Sequence, residues 1–102
     1  TDWPLIVRLY DALLRREPTA VVALNRAVAL SYADGAEHGL RALAPLVDEL
    51  ATYPYFHSAR AELLLRAGRP ADAATAFDDA LRCCHNEAER RHLAARRAVA
   101  AR

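Results

Sequence analysis

Apolar residues recur along this chain at intervals of three and four, and Pro, Gly and small polar residues interrupt them at regular points. Ile6, Leu9, Tyr10 and Leu13 form the first set, behind Thr1 or Asp2 as cap and Pro4 in the first turn; the helix they predict ends before Pro18. Thr19 caps a second helix carrying Val21, Leu24, Ala27, Val28 and Tyr32, which Asp34-Gly35 stops. A third carries Leu40, Leu43, Leu46, Val47 and Leu50, with a kink expected at Pro45 inside it. Tyr53-Pro54 breaks the chain again. Helix four is expected over about 54–67, helix five over about 70–84, and a last helix over about 87–101 with Asn86 as its cap. That last segment carries few large apolar residues beyond Leu93 and Val99, as a terminal helix with one solvated face would.

Helices four and five form the most regular stretch, residues 59–81, a helical hairpin closed by a turn centred on Gly68. Ala61 and Ala73 allow close backbone approach, Gly68 can take the left-handed conformation that ends a helix, and Phe77 can fill the gap between hairpins. With Ala80, these positions match the spacing of a tetratricopeptide-type repeat. The repeat is internal: a shift of 34 residues aligns Arg26 with Arg60, Ala27 with Ala61, Leu30 with Leu64, Ala33 with Ala67, Gly39 with Ala73 and Leu43 with Phe77. A further shift places Leu9 and Ala12 at the positions of Leu43 and Leu46, so helix one reads as the second half of an earlier repeat. The expected fold is all-α: about six helices in tetratricopeptide-like hairpin repeats, forming a short right-handed solenoid. It is read as a single domain over 1–102, with a half repeat at 1–18, repeats at 19–52 and 53–86, and a capping helix at 87–102.

Composition agrees with a helical globular domain: 54% of residues are hydrophobic and only three are glycine. All fourteen basic residues are Arg and Ile6 is the sole isoleucine, a bias that points to a GC-rich coding sequence. A formal net charge of +1 offers no general attraction for nucleic acid or an anionic membrane. No apolar run approaches the roughly 20 residues of a membrane helix, and the N-terminus lacks the layout of a signal peptide, so a cytoplasmic location is expected. Cys83 and Cys84 are adjacent, which is poor geometry for a mutual disulfide.

Neither catalysis nor a cofactor is expected. Cys83, Cys84, His85 and His92 are of metal-ligating types, but their spacing matches no zinc arrangement. There is no phosphate-cradling glycine loop and no His-Glu-x-x-His. Arg90, Arg91, Arg96, Arg97 and Arg102 on the last helix could meet nucleic acid, yet no aromatic residues are interleaved, which favours a solvated face.

The candidate function lies in protein contact. The first helix of each hairpin would line a groove with Asn25, Val28, Ser31 and Tyr32, then Tyr55, Ser58, Glu62 and Arg66, then Glu89, His92 and Arg96. Aromatic and Arg side chains carry much of the energy on such surfaces. Arg26 and Arg60 stand where an apolar residue is usual and call for carboxylate partners, with Asp2, Asp11, Asp48, Asp72, Asp78 and Asp79 as candidates. Trp3 is either a core anchor or an exposed contact. Tyr53, Tyr55, Phe56 and His57 read as a cluster fixing the corner between helices three and four. The protein-binding candidates are therefore Trp3, Asn25, Arg26, Tyr32, Tyr53, Tyr55, His57, Arg60 and Arg66. A small-ligand or peptide sensor using the same groove is the alternative.

Two strings are more specific than the repeat signature: Asp2-Trp3-Pro4 within residues 1–13, and Leu24-Asn25-Arg26-Ala27-Val28-Ala29 within 18–29. With Asp34-Gly35, Gly39-Leu40, Tyr53, His57, Arg60-Ala61, Leu64, Arg66, Gly68-Arg69, Asn86 and Glu89-Arg90, they resemble the C-terminal extension of a group of extracytoplasmic-function RNA polymerase sigma factors over nearly the whole chain. The resemblance implies a tetratricopeptide-like module that supports or controls sigma activity by protein contacts. Its partners would be its own sigma domains, the polymerase core or a regulator, with DNA reached only through sigma domains that these residues lack. Phe77, where that family commonly has Tyr, and Cys83-Cys84 depart from the pattern.

Overall fold

The computed structural model describes residues 1–102 and is wholly helical. Its elements are α1 (Trp3–Arg16), α2 (Ala20–Asp34), α3 (Ala36–Leu43), a 3-10 turn (Ala44–Leu46), α4 (Pro54–Arg66), α5 (Pro70–Cys83) and α6 (Glu87–Ala100). No helix is long and apolar enough to cross a membrane. The chain forms two compact units, Thr1–Leu50 and Ala51–Arg102, divided two residues from the repeat boundary read in the sequence. In the first, α2 packs against both α1 and α3; in the second, α5 packs against both α4 and α6. The α2–α3 and α4–α5 pairs are hairpins of tetratricopeptide type.

The helix starts are set by side chains that satisfy orphan backbone donors. Asp2 accepts from the Leu5 amide at 3.0 Å, Thr19 from Val22 at 3.2 Å and Asn86 from Glu89 at 2.9 Å. Two glycines set the stops. At the end of α4, Gly68 has φ of 76°, its amide donates to the Leu65 carbonyl at 3.0 Å, and the Arg69 amide donates to Leu64 at 2.9 Å. Both reversed bonds of a Schellman motif are thus present. Gly35 alone connects α2 to α3. Its φ of 106° and ψ of 160° lie where essentially only glycine goes, and it bonds to Ser31 as α2 ends while accepting from Gly39 as α3 begins.

Leu24, Ala27, Leu43 and Leu50 form the core of the first unit. The second unit is better filled, with Phe56, Leu64, Phe77, Ala61, Ala73, Ala80 and, from α6, Leu93 all buried. The duplicated Ala27 and Ala61 are completely buried, as close helix packing requires.

One expectation is corrected. The third helix does not kink at Pro45; it ends at Leu43, and Pro45 sits within the 3-10 turn. Proline has no amide for the carbonyl four residues back and its ring crowds that carbonyl, so the α-helical ladder stops even though Ala44 and Val47 keep right-handed dihedrals. The apolar stripe of α1 is left partly or largely exposed. No α1 residue is fully buried and Leu9 is 61% exposed.

Nothing lies within 4 Å of a Cβ built on either Gly35 or Gly68, so alanine there would meet only backbone strain. Gly68→Ala is expected to cost about 1 to 2 kcal/mol and Gly35→Ala about 2 to 3 kcal/mol. Urea unfolding of the two variants checks that ranking; a Gly35→Ala protein as stable as the wild type would refute it.

Candidate functional site

In the first unit, Val21, Asn25, Val28 and Tyr32 recur at intervals of three and four and share one face of α2. Val21 and Tyr32 are exposed, and Asn25 and Val28 are half-buried. Trp3 crosses from α1 to stack on Tyr32, with ring centroids 4.5 Å apart and planes inclined by 19°. It is half-buried, so it is an intramolecular anchor that also widens an aromatic surface. Ser31, expected to line a groove, is instead buried and donates its hydroxyl to the Val28 carbonyl at 2.6 Å. Being one residue from Tyr32, it lies about 100° around the helix, on the packed side.

Arg26 meets its expected kind of partner. Its Nε donates to Asp11 Oδ1 at 2.5 Å, joining α2 to α1. The duplicated Arg60 does not follow: it is half-buried on α4 and makes no hydrogen bond or ion pair, so the pairing expectation fails there. The other named carboxylates of this region serve different arginines, with Asp72 bound to Arg69, Asp78 to Arg97 and Asp79 to Arg82.

In the second unit, Tyr55, Glu62 and Arg66 share one face of α4, with both ends exposed. Tyr55 meets Tyr53 edge to face at 6.3 Å. His57 stands edge-on to the buried Phe56, and its Nε2 lies 2.6 Å from the Ala51 carbonyl. A carbonyl can only accept, so Nε2 carries the proton. His57 thereby ties the turn before Pro54 to the first turn of α4.

Glu62 receives both Nε and Nη2 of Arg96, at 2.8 and 2.7 Å. These residues sit one period apart, at the same repeat position on α4 and α6. The hydrogen bonds from Glu62, and then its charge, push the Arg96 guanidinium further above its ordinary value. The remaining arginines of α6 are similarly engaged. Arg90 donates to the Leu81 and Cys84 carbonyls at the end of α5, Arg97 pairs with Asp78, and Arg91 lies 3.8 Å from Glu87. Arg90, Arg96 and Arg97 thus have carbonyl or carboxylate partners within the chain.

Cys84 is buried and Cys83 half-buried. Burial, reinforced by the neighbouring Cys84, raises the Cys83 thiol above its ordinary value of 9.0, with partial relief from a backbone hydrogen bond and Arg82. No three His, Cys, Asp or Glu side chains gather as a metal site would need. On α1, an open depression of about 250 Å³ is lined by Ile6, Leu9, Tyr10 and Leu13. That exposure was not read from the sequence, although the truncated half repeat was the signal that could have found it.

A protein of Rhizobium meliloti (strain 1021), described only as uncharacterized, is 44% identical to this chain over 93 residues. The match takes in 91% of this chain and 22% of the relative, so the chain spans about a fifth of that protein's length. No family model and no solved structure matches the chain.

The two duplicated arginines are expected to separate on mutation. Arg26→Ala leaves Asp11 without its partner and should cost about 1 kcal/mol, whereas Arg60→Ala should change stability by less than about 0.5 kcal/mol. Equal losses in denaturant melts would show that the Asp11 bridge contributes nothing. Cys83 should alkylate more slowly at pH 8 in the folded protein than in urea, because the reactive thiolate is disfavoured by burial. Since its folded value is raised, its contribution to stability is complete at acid and neutral pH and declines as pH rises through that value. Equal alkylation rates with and without urea would contradict the assignment.

Proposed function

We propose that this chain is the tetratricopeptide-like C-terminal module of a bacterial extracytoplasmic-function sigma factor, acting in the cytoplasm through protein contacts. The observation that carries the reading is the pair of strings around Asp2-Trp3-Pro4 and Leu24-Asn25-Arg26-Ala27-Val28-Ala29. Their residues have definite duties in an all-α hairpin fold. Asp2 caps α1, Trp3 stacks on Tyr32, Pro4 stands in the first turn, Leu24 and Ala27 are buried, and Arg26 bridges to Asp11. Most members of the two strings thus have a capping, packing or pairing role within α1 and α2.

The occurrence of similar sequence within a relative more than four times as long supports a module that works attached to other domains. Such a module would contact sigma domains, polymerase core or a regulator, and would leave promoter recognition to the sigma domains. Asn25 is the residue of the specific string best suited to partner contact, because its side chain is half-buried and makes no hydrogen bond within the chain. An amide so placed can donate and accept to a partner backbone.

The test is a pull-down of the 102-residue chain with sigma domains of this family, followed by transcription from a sigma-dependent promoter. Binding is expected, with Asn25→Ala weakening it by roughly tenfold if the amide is a hot spot. Absence of binding to sigma domains, polymerase core and regulators would overturn the reading. A melting temperature raised by a small molecule alone would favour the sensor alternative.

A further inference from the structure

The second unit holds its helices by two different means. α4 and α5 meet through a packed interior, with Phe56, Ala61, Leu64, Ala73, Phe77 and Ala80 all buried. α6 packs along α5, but of its 14 residues only Leu93 and Ala100 are buried. Its attachment is largely polar.

Three arginines make that attachment, and each reaches a different place. Near the start of α6, Arg90 donates from Nη1 to the Leu81 and Cys84 carbonyls at 2.5 and 2.7 Å, acceptors at the end of α5 that lack a helical partner. In the second half, Arg96 closes a two-point fork on Glu62 of α4 at 2.8 and 2.7 Å, and Arg97 a looser one on Asp78 of α5 at 3.1 and 3.4 Å. The side chains of these two bridges keep between 34% and 43% of their surface in water, so dissolved salt screens them. Buried apolar side chains carry no charge to screen. The two kinds of attachment therefore respond differently to ionic strength.

The joint between α5 and α6 allows them to part. Only residues 84–86 link the two helices, and both Cys84 and Asn86 are extended, with φ and ψ of -95° and 127° and of -88° and 122°. Cys84 lies in this joint at 2% exposure, its thiol 3.8 Å from the Asn86 carbonyl and 3.7 Å from the Glu89 carboxylate of α6. Both the thiol and the carbonyl of Cys84 are thus engaged by α6.

We propose that α6 is a charge-fastened strap, released from α5 in one piece while α4 and α5 stay folded, and that its release uncovers the Cys84 thiol. Ionic strength sets how often the strap opens, because every fastening depends on a guanidinium charge. Release does not rest on the sigma-factor reading, since all the contacts involved lie within Ala51–Arg102.

The test is amide exchange of the 102-residue chain, followed by NMR at about 0.05 M and about 1 M NaCl. Amides 93–100 are expected to exchange at one shared rate, faster than amides 61–66 of α4, and to gain roughly threefold at the higher salt while 61–66 do not change. Arg96→Gln and Arg97→Gln should each speed exchange in α6 roughly fivefold at low salt. In a Cys83→Ser background the same variants should speed alkylation of Cys84 by the same factor. The salt comparison uses the unaltered chain, so it stands even where a variant folds poorly. Exchange in α6 indifferent to salt and to both variants would overturn the proposal, as would α4 and α6 accelerating together, because the helix would then open only with the whole unit. A steady rise in rate towards Ala100 would show fraying in place of release, and Cys84 alkylation that stays constant while α6 exchange quickens would refute the masking of the thiol.

Discussion

The structure depends on helices approaching each other closely enough to bury their large side chains, Leu24 and Leu43 in one hairpin and Phe56, Leu64 and Phe77 in the other. Ala27 and Ala61 supply the close approach, being completely buried on the first helix of each pair, and Leu43 and Phe77 supply the wedge on the second. Small residues alone would leave a void and large ones alone would hold the backbones apart, so the alternation is what brings interior packing to native density. The rest follows from that requirement. Each hairpin needs a short connection, and Gly35 and Gly68 provide it in positive-φ conformations that strain any residue with a Cβ.

The same constraint bears on the outer helix of each unit, α1 and α6. A hairpin cannot bury both faces of both helices by itself, and a terminal helix therefore either becomes polar or waits for a neighbour. α1 and α6 take opposite courses. α6 is built from arginines that hook back onto Glu62, Asp78 and the last carbonyls of α5, and only a few apolar residues such as Leu93 are committed inward. α1 keeps its leucines pointed outward and its edge arginines unpaired. The first arrangement fastens α6 to the second unit, and in the second Leu5, Leu9 and Leu13 are exposed.

Much of the fold was legible from spacing and punctuation. The caps Asp2, Thr19 and Asn86, both glycine stops and every helix but the third appear close to where the sequence places them, because each depends on interactions within a few residues. Pro45 was read less well, since the same residue can kink a helix or end it, and the outcome depends on what the following turn packs against. Of the candidate residues, Arg26 and His57 have identified intramolecular partners, Trp3 and Tyr32 form one aromatic pair, and Arg60 stands without the carboxylate that its repeat position suggested. Duplicated positions share a place in the helix but not a set of neighbours: one period along from Asp11 the chain has Pro45.

By itself, then, the sequence determined helix, turn and repeat period, because backbone hydrogen bonding and side-chain spacing are local properties that survive without knowledge of distant neighbours. It also marked α1 as amphipathic. Only the tertiary structure decided which way that amphipathic face turned. Periodicity reports that one side of a helix is apolar; whether solvent or another helix meets it depends on the presence of a neighbour, and here α2 meets the side that carries Asp11 while Leu9 is left exposed. Ion pairing divided in the same way. The arginines were visible from the beginning, but their partners came from other helices, and packing alone brought Asp11 to Arg26 and Glu62 to Arg96.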